Sequence, residues 1–219
     1  GAYALSVAIS PIIAAGVVFV RGETKTDDGP PATYAEITPN LGWLLLGTIM
    51  AAALVNAGPL GVDFLANASD AEKVTAFGNG VLLSRVPLFL FQAVQAALLP
   101  RLARLAAKGD LAEFREGFSL LLKVVTAVAV LGTVGSFLLG PPILTMVYEG
   151  GLDRRTLTLL ALASGVYMLA LAVSQGVIAL QGHKFVAVGW LSAMIGFLVV
   201  TTFASDDLFL RVELGLVAG

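Results

Sequence analysis

The sequence contains no cysteine and one histidine, and only 13% of its 219 residues are charged. The absence of cysteine excludes disulfides and thiolate metal ligands. Soluble domains carry about 25% charged residues, so a share this low argues against a soluble fold. The charges that are present sum to −2. They form no basic platform, so we predict that the chain does not bind nucleic acid.

Catalytic motifs are also missing from the chain. It has no phosphate-binding Gly-Lys-Ser/Thr loop, no His-Glu-x-x-His, no Gly-x-Ser-x-Gly and no Cys-x-x-Cys. The longest polar connection, residues 21–39, is too short to hold a soluble catalytic domain. We therefore predict that the chain is not an enzyme and needs no cofactor or metal.

Long apolar runs dominate what is present, since 58% of the residues are hydrophobic. The runs are continuous and are separated by short polar breaks rich in glycine and proline, and about 20 apolar residues suffice for a helix to cross a membrane. This pattern predicts an all-α, polytopic transmembrane helix bundle with six full spans and the start of a seventh near Leu208. The predicted spans are Tyr3–Val20, Leu41–Leu65, Val74–Leu99, Phe118–Leu139, Thr156–Leu180 and Phe185–Phe203.

Lysine and arginine gather on one side of the predicted spans. In and near the loops of that side lie Arg21, Lys25, Arg101, Arg104, Lys108, Arg115, Lys123 and Lys184, and in and near those of the other side lie Lys73, Arg154, Arg155 and Arg211. Cytoplasmic loops carry an excess of these residues, so the first side is predicted to be cytoplasmic. The chain has no initiator methionine and ends at Gly219 within an apolar run, so we expect it to be a fragment.

A polar stripe runs through the third predicted span. Arg85, Gln92 and Gln95 have helical offsets of 0, 7 and 10 and share one face. An arginine near the middle of a membrane helix costs about 2.5–3.5 kcal/mol on insertion scales. The stripe is therefore predicted to face a wet or protein-lined cavity rather than lipid. Pro87 removes a backbone hydrogen bond near Arg85 and is expected to kink the helix.

The second span carries further polar residues. Asn56 and Asp63 are seven residues apart on one face, and Asn56 is expected to lie at the depth of Arg85. We predict a cationic cavity wall made of Arg85, Asn56, Asn79, Gln92 and Gln95, suited to an anionic or highly hydroxylated substrate. Two alternatives stay open: an Arg85–Asp63 ion pair that only supports the fold, and an Arg85 side chain that snorkels outward.

The cytoplasmic connection that follows is predicted to contain a short interfacial helix. Its basic face carries Arg101, Arg104 and Lys108, which are expected to anchor it to anionic lipid headgroups, the alternative being a specific ligand site. Gly109 is suited to end this helix. Asp110 and Glu113 have capping-box spacing at the start of the next one.

Residues 85–110, followed by Glu113-Phe114-Arg115, form a pattern with Leu-Pro-Arg-Leu-Ala-Arg at 99–104 as its core. Gly-Pro-Pro-Ile-Leu at 140–144 and residues 175–183 add to it. The pattern resembles the multidrug/oligosaccharidyl-lipid/polysaccharide flippase superfamily, in particular the O-antigen-type polysaccharide flippases, with the lipid II flippases next.

The resemblance implies two helical lobes around a cavity that opens alternately to either side of a bacterial cytoplasmic membrane. Residues 1–20 would be the last helix of an N-terminal lobe that is otherwise missing, 21–39 the cytoplasmic linker, and 40–219 most of the C-terminal lobe. The implied substrate is a lipid-linked glycan with a pyrophosphate headgroup, moved while its tail stays in the lipid bilayer. Asp63 could couple this movement to H⁺ or Na⁺ by reversible protonation.

Two other functions are left open by the sequence. A drug or cation antiporter of the same superfamily would prefer acidic cavity residues, of which Asp63 is the only candidate. A non-transporting membrane scaffold for cell-envelope assembly would use the polar stripe for helix packing.

Overall fold

The computed structural model describes residues 34–67, 70–148 and 151–219, which form seven α-helices and no strand. The predicted first span Tyr3–Val20 and most of the predicted linker lie outside these residues. The chain divides into two compact units, Gly1–Ile37 and Thr38–Gly219, and the packing given below belongs to the second. The helices are α1 Tyr34–Leu65, α2 Ala71–Ser84, α3 Val86–Lys108, α4 Leu111–Val147, α5 Arg154–Ala179, α6 His183–Phe203 and α7 Leu208–Ala218.

Four of the described helices are long and apolar enough to cross a membrane: Asn40–Leu65 of α1, and the whole of α4, α5 and α6. They coincide with four of the predicted spans, so an all-helical, multi-pass membrane fold is confirmed. The predicted count of six spans is not. At its N-terminal end α1 begins at Tyr34, so the last residues of the predicted linker are helical.

The third predicted span, Val74–Leu99, is not one helix. It is divided at Arg85, where α2 ends and α3 begins. The cause is Pro87, because proline has no N–H for the carbonyl of Leu83 and its ring disfavours a continuous helix. The kink predicted there is thus a helix break, and the 14 residues of α2 are too few to span a membrane.

The predicted interfacial helix is not a separate element either. Residues 101–108 form the last third of α3, which runs unbroken through Pro100. The apolar face of this segment packs into the bundle, with Leu102 only 2% exposed and in one core cluster with Phe114 and Leu121. Helix packing therefore uses the face that was expected to lie on lipid.

The turn from α3 to α4 has the predicted end signals. Gly109 has φ 75°, a left-handed conformation that glycine adopts without strain. The Asp110 side chain accepts a hydrogen bond of 3.2 Å from the Glu113 backbone N–H and so caps α4. These signals confirm that α3 and α4 are joined by a tight turn.

Helix α5 is the centre of the bundle, since it contacts α2, α3, α4, α6 and α7. Its closest approach is to α4. A Cβ added at Gly165 would lie 2.8 Å from the Cβ of Ala129, a distance that a real Cβ contact does not reach. Ser136 of α4 also donates a hydrogen bond of 2.8 Å to the Leu157 carbonyl of α5. Small residues thus set the spacing of these helices, as is common in membrane bundles.

The turn from α5 to α6 contains the only non-glycine residue with positive φ among the described residues. The Gly182 N–H bonds to the Val177 carbonyl and the Gln181 N–H to the Ile178 carbonyl, which is the Schellman pattern. Gln181 occupies the left-handed position, with φ 63°. A side chain with a Cβ is strained there by roughly 1 kcal/mol.

Substituting Gln181→Gly should therefore stabilise the protein. Relief of the strain outweighs the added freedom of the unfolded chain, so we expect a gain of about 0.5–1 kcal/mol and a rise in Tm of roughly 1–4 °C. Thermal unfolding of the purified protein measures it. The matched control Gln181→Ala keeps a Cβ and should give no rise. A glycine variant less stable than the alanine variant would contradict this explanation.

Candidate functional site

Arg85 lies at the break between α2 and α3, with its side chain half-buried. Its Nη2 donates a hydrogen bond to the carbonyl of Val55 in α1. That carbonyl is free to accept because the residue four positions on, Pro59, has no N–H to donate back to it. Two prolines on neighbouring helices therefore create the contact: Pro87 opens the break at Arg85, and Pro59 frees its acceptor.

Neutral polar groups surround the guanidinium. The Ser84 hydroxyl donates to the Val81 carbonyl at 2.8 Å and lies 3.2 Å from the Ser164 hydroxyl of α5. The Tyr167 hydroxyl donates to the Ala51 carbonyl of α1 at 3.1 Å. These bonds hold α1 and α5 around Arg85 without contributing charge.

The groups line a small, partly open pocket of about 40 Å³. Pockets that bury a whole ligand measure about 300–1,000 Å³, so this one can hold a small charged group and not an entire glycan headgroup. The described residues therefore supply a polar wall around Arg85 rather than a closed binding chamber. The wall combines the polar residues Ser84, Arg85, Ser164 and Tyr167 with the aromatic Trp190 and apolar residues of α1, α2, α5 and α7.

The charge of Arg85 is not neutralised by any carboxylate within the described ranges. The ion pairs found there all involve other residues. The alternative Arg85–Asp63 ion pair is not formed, and Asp63 is exposed on α1. A cation without a counter-ion in a low-dielectric setting attracts anions strongly, so the site is suited to a negatively charged group.

The other predicted cavity residues lie apart from this pocket. Asn56 is exposed and donates to the Ala52 carbonyl of its own helix at 2.8 Å, and Gln92 is also exposed. Asn79 and Gln95 are half-buried and do not line the pocket. The structure thus brings none of these four side chains to Arg85.

Ser164 and Tyr167 were missed in the sequence, although a signal for them was present. They are three residues apart on α5 and therefore share a helical face in an otherwise apolar span. Trp190 packs against Tyr167 with ring centroids 5.3 Å apart. In the sequence, a single tryptophan such as Trp190 cannot be distinguished from an ordinary core residue.

The three basic residues predicted to anchor α3 at the membrane surface are all exposed. Arg101 forms an ion pair of 2.6 Å with Glu113 of α4, and Arg104 Nε donates to the Pro100 carbonyl at 3.2 Å. Lys108 lies in the last turn of α3, where a positive charge interacts favourably with the helix dipole. Their contact with lipid stays a prediction.

Comparison with known families gives one match. A family model described as lipid II flippase MurJ matches residues 36–190, which run from the first turn of α1 into α6 and include Arg85, Ser164 and Tyr167. No curated protein and no solved structure matches the chain significantly. The match confirms the predicted flippase superfamily. It points to the group that the sequence resemblance placed second, and gives no support to the O-antigen type.

Proposed function

The chain belongs to the MurJ family of lipid II flippases, and from this premise we propose that Arg85 contacts the pyrophosphate of a lipid-linked glycan as it crosses the membrane. As a member of this family the chain is a transporter of a lipid-linked precursor and not an enzyme. The proposal concerns the substrate's headgroup, the residue that meets it and the movement that carries it.

The unneutralised charge of Arg85 is the observation that supports this proposal most. Within the described part of the chain its guanidinium has one hydrogen bond, to Val55, although the group has five N–H donors. A pyrophosphate leaving water needs positive charge and hydrogen bonds to replace its hydration. The planar guanidinium supplies both in a geometry that fits phosphate oxygens.

The helix break supports a proposal for movement. A cleft of about 170 Å³ lies beside it, lined by Pro87 and by Gly132, Gly135 and Gly140 of α4. Pro87 is 3.0 Å from where a Cβ of Gly132 would be. Pro87 has no N–H to donate to the preceding turn and the cleft gives space beside the break, so α3 can tilt against α4 there. We assign to it a hinge role in alternating access.

The two alternatives fit the site less well. A cation antiporter needs a carboxylate in its pocket, and the described wall around Arg85 contains none. A scaffold would pair or pack away its intramembrane charge, whereas Arg85 keeps unused donors. Placement in a bacterial cytoplasmic membrane and coupling to H⁺ or Na⁺ belong to the proposal as well.

Transport by the full-length protein in proteoliposomes tests the function. The substrates are a lipid-linked pyrophosphoryl glycan, scored with a membrane-impermeant reagent, and a cationic dye. We expect the protein to accelerate movement of the glycan lipid over protein-free vesicles and to leave the dye where it is. Movement of the dye alone would support antiport, and movement of neither would support the scaffold.

A further inference from the structure

An arginine joins the starts of α5 and α7. Asp153 caps α5 and Asp207 caps α7, each through its side-chain oxygens. Arg155 lies between them, with Nε 3.8 Å from Asp153 Oδ2 and one Nη 3.7 Å from Asp207 Oδ1. One partly exposed cation thus lies beside the carboxylates that cap both helices.

A carboxyl group is buried beneath this arginine. Glu213 lies in the second turn of α7 and is 0% exposed, and the same is true of Thr156 beside it in the first turn of α5. Neither the two carboxyl oxygens of Glu213 nor the Thr156 hydroxyl has a hydrogen-bond partner within the described residues. Phe209, one turn earlier on the same face of α7, packs into the apolar cluster of Leu144 and Leu157. Glu213 is therefore not in contact with bulk solvent in this conformation.

The charges around Glu213 do not balance if it is ionised. Asp153, Asp207 and Glu213 share Arg155 alone, which would leave an excess of two negative charges. Arg154 lies over the Phe137 ring at 5.2 Å. Arg211, two residues before Glu213, starts from the opposite side of α7 by the helical period, and its buried Nε has no hydrogen-bond partner within the described residues. Protonation of Glu213 neutralises its own charge, which is the buried one of the three negative charges.

The helices packed on this end supply no further cation for Glu213. On α2, Lys73 pairs with Asp70 at 3.1 Å, and Glu72 is exposed. At the end of α4, Tyr148 is half-buried, and a tyrosine side chain supplies no positive charge. The acidic groups within the described ranges do not converge on a metal position. A proton needs only one oxygen, so it fits this site better than a metal ion does.

We propose that Glu213 is a proton-binding site, protonated while α7 packs against α5 and ionised when the two helices separate. On separation the carboxyl loses its proton to water, and it regains one before the helices pack again. The coupling part of this inference rests on the proposed flippase function, whose cycle would supply the separation. It assigns coupling to the buried Glu213 rather than to Asp63, which is exposed on α1.

Infrared spectroscopy of the full-length protein tests the protonation directly. The difference spectrum between wild type and Glu213→Gln at about pH 7 should contain the carbonyl band of a protonated carboxylic acid, present only in wild type. The matched control Glu72→Gln, an exposed glutamate at the same end of the bundle, should give no such band. Absence of the band from the Glu213 difference, in folded protein, would overturn the proposal.

Transport at different pH values tests the coupling. Wild type should change its flipping rate with pH, Glu213→Gln should lose that dependence, and Glu213→Asp, which can still titrate, should keep part of it. An unchanged pH profile in Glu213→Gln, or loss of the profile in Asp63→Asn instead, would overturn the coupling role. If the full-length protein flips no substrate, the proposed function fails, while the infrared band still decides whether Glu213 binds a proton.

Discussion

Substituting Arg85→Ala in the full-length protein should reduce the rate of glycan-lipid flipping by about 30-fold to 1,000-fold. The estimate corresponds to about 2–4 kcal/mol at 1.4 kcal/mol per tenfold, the range for removing one partner of a buried, hydrogen-bonded charge pair. The loss arises because the pyrophosphate would cross the membrane without the cation that replaces its hydration. Flipping in proteoliposomes measures it.

Two controls separate this role from a structural one. Arg85→Lys keeps the charge but not the planar, two-point geometry, and we expect it to retain more activity than alanine and less than wild type. Tyr167→Phe removes a bond to the Ala51 carbonyl of α1, which resembles the bond from Arg85 to Val55 but carries no charge. If Tyr167→Phe reduced flipping as much as Arg85→Ala, the loss would come from a missing hydrogen bond to α1 and not from the missing charge of Arg85.

Substituting Gly165→Leu should have the largest effect on stability. The added Cβ would meet Ala129 Cβ at 2.8 Å and Cα at 3.4 Å, and backbone cannot rotate away as a side-chain tip can. Helices α4 and α5, which share the most extensive contact of the bundle, would have to move apart. Overpacking of this kind costs about 3 kcal/mol or more, which lowers Tm by roughly 6–12 °C.

Thermal unfolding of the purified protein measures this loss. The matched control is Gly189→Leu in α6, where an added Cβ meets nothing within 4 Å, and it should leave Tm within about 2 °C of wild type. Gly165→Ala should fall between the two. Equal Tm values for the two leucine variants would show that the close approach of α4 and α5 does not limit packing.

The sequence predicts most of the helical architecture because membrane helices can be recognised by their length and hydropathy. Local chemistry predicts the caps at Gly109 and Asp110 as well, since both depend on residues close in the chain. The positions of helix ends within apolar stretches were predicted less accurately. Helix α4 reaches from Leu111 to Val147, well beyond the predicted Phe118–Leu139, because helices continue past the membrane wherever backbone and capping allow.

The candidate site could be predicted only in part. Arg85 and the effect of Pro87 follow from one segment of sequence. The Val55 carbonyl, Ser164 and Tyr167 belong to two other helices. Their position next to Arg85 depends on how α1 and α5 pack. Asn56 was placed by depth and Gln92 by helical period, but neither criterion identifies neighbouring side chains, and both residues are exposed and lie away from the pocket.

Glu213 shows the same limit more strongly. In the sequence it stands in the apolar run that begins near Leu208, where a seventh span was predicted to start, and it was given no role there. The structure buries it fully because α7 packs against α5, with Phe209 and Val212 in apolar clusters on either side. Burial of this kind depends on contacts between segments that are distant in the chain, and such contacts cannot be predicted from hydropathy.

The most direct test of the substrate site is the accessibility of a single cysteine at Ser164, which lines the pocket and leaves Arg85 in place. The chain has no cysteine of its own, so Ser164→Cys in the full-length protein would label without background. We expect labelling by a membrane-impermeant thiol reagent, and protection by a lipid-linked pyrophosphoryl glycan but not by the same lipid as a monophosphate. Labelling that the glycan lipid leaves unchanged, or no labelling with reagent on both sides, would contradict a substrate site at Arg85.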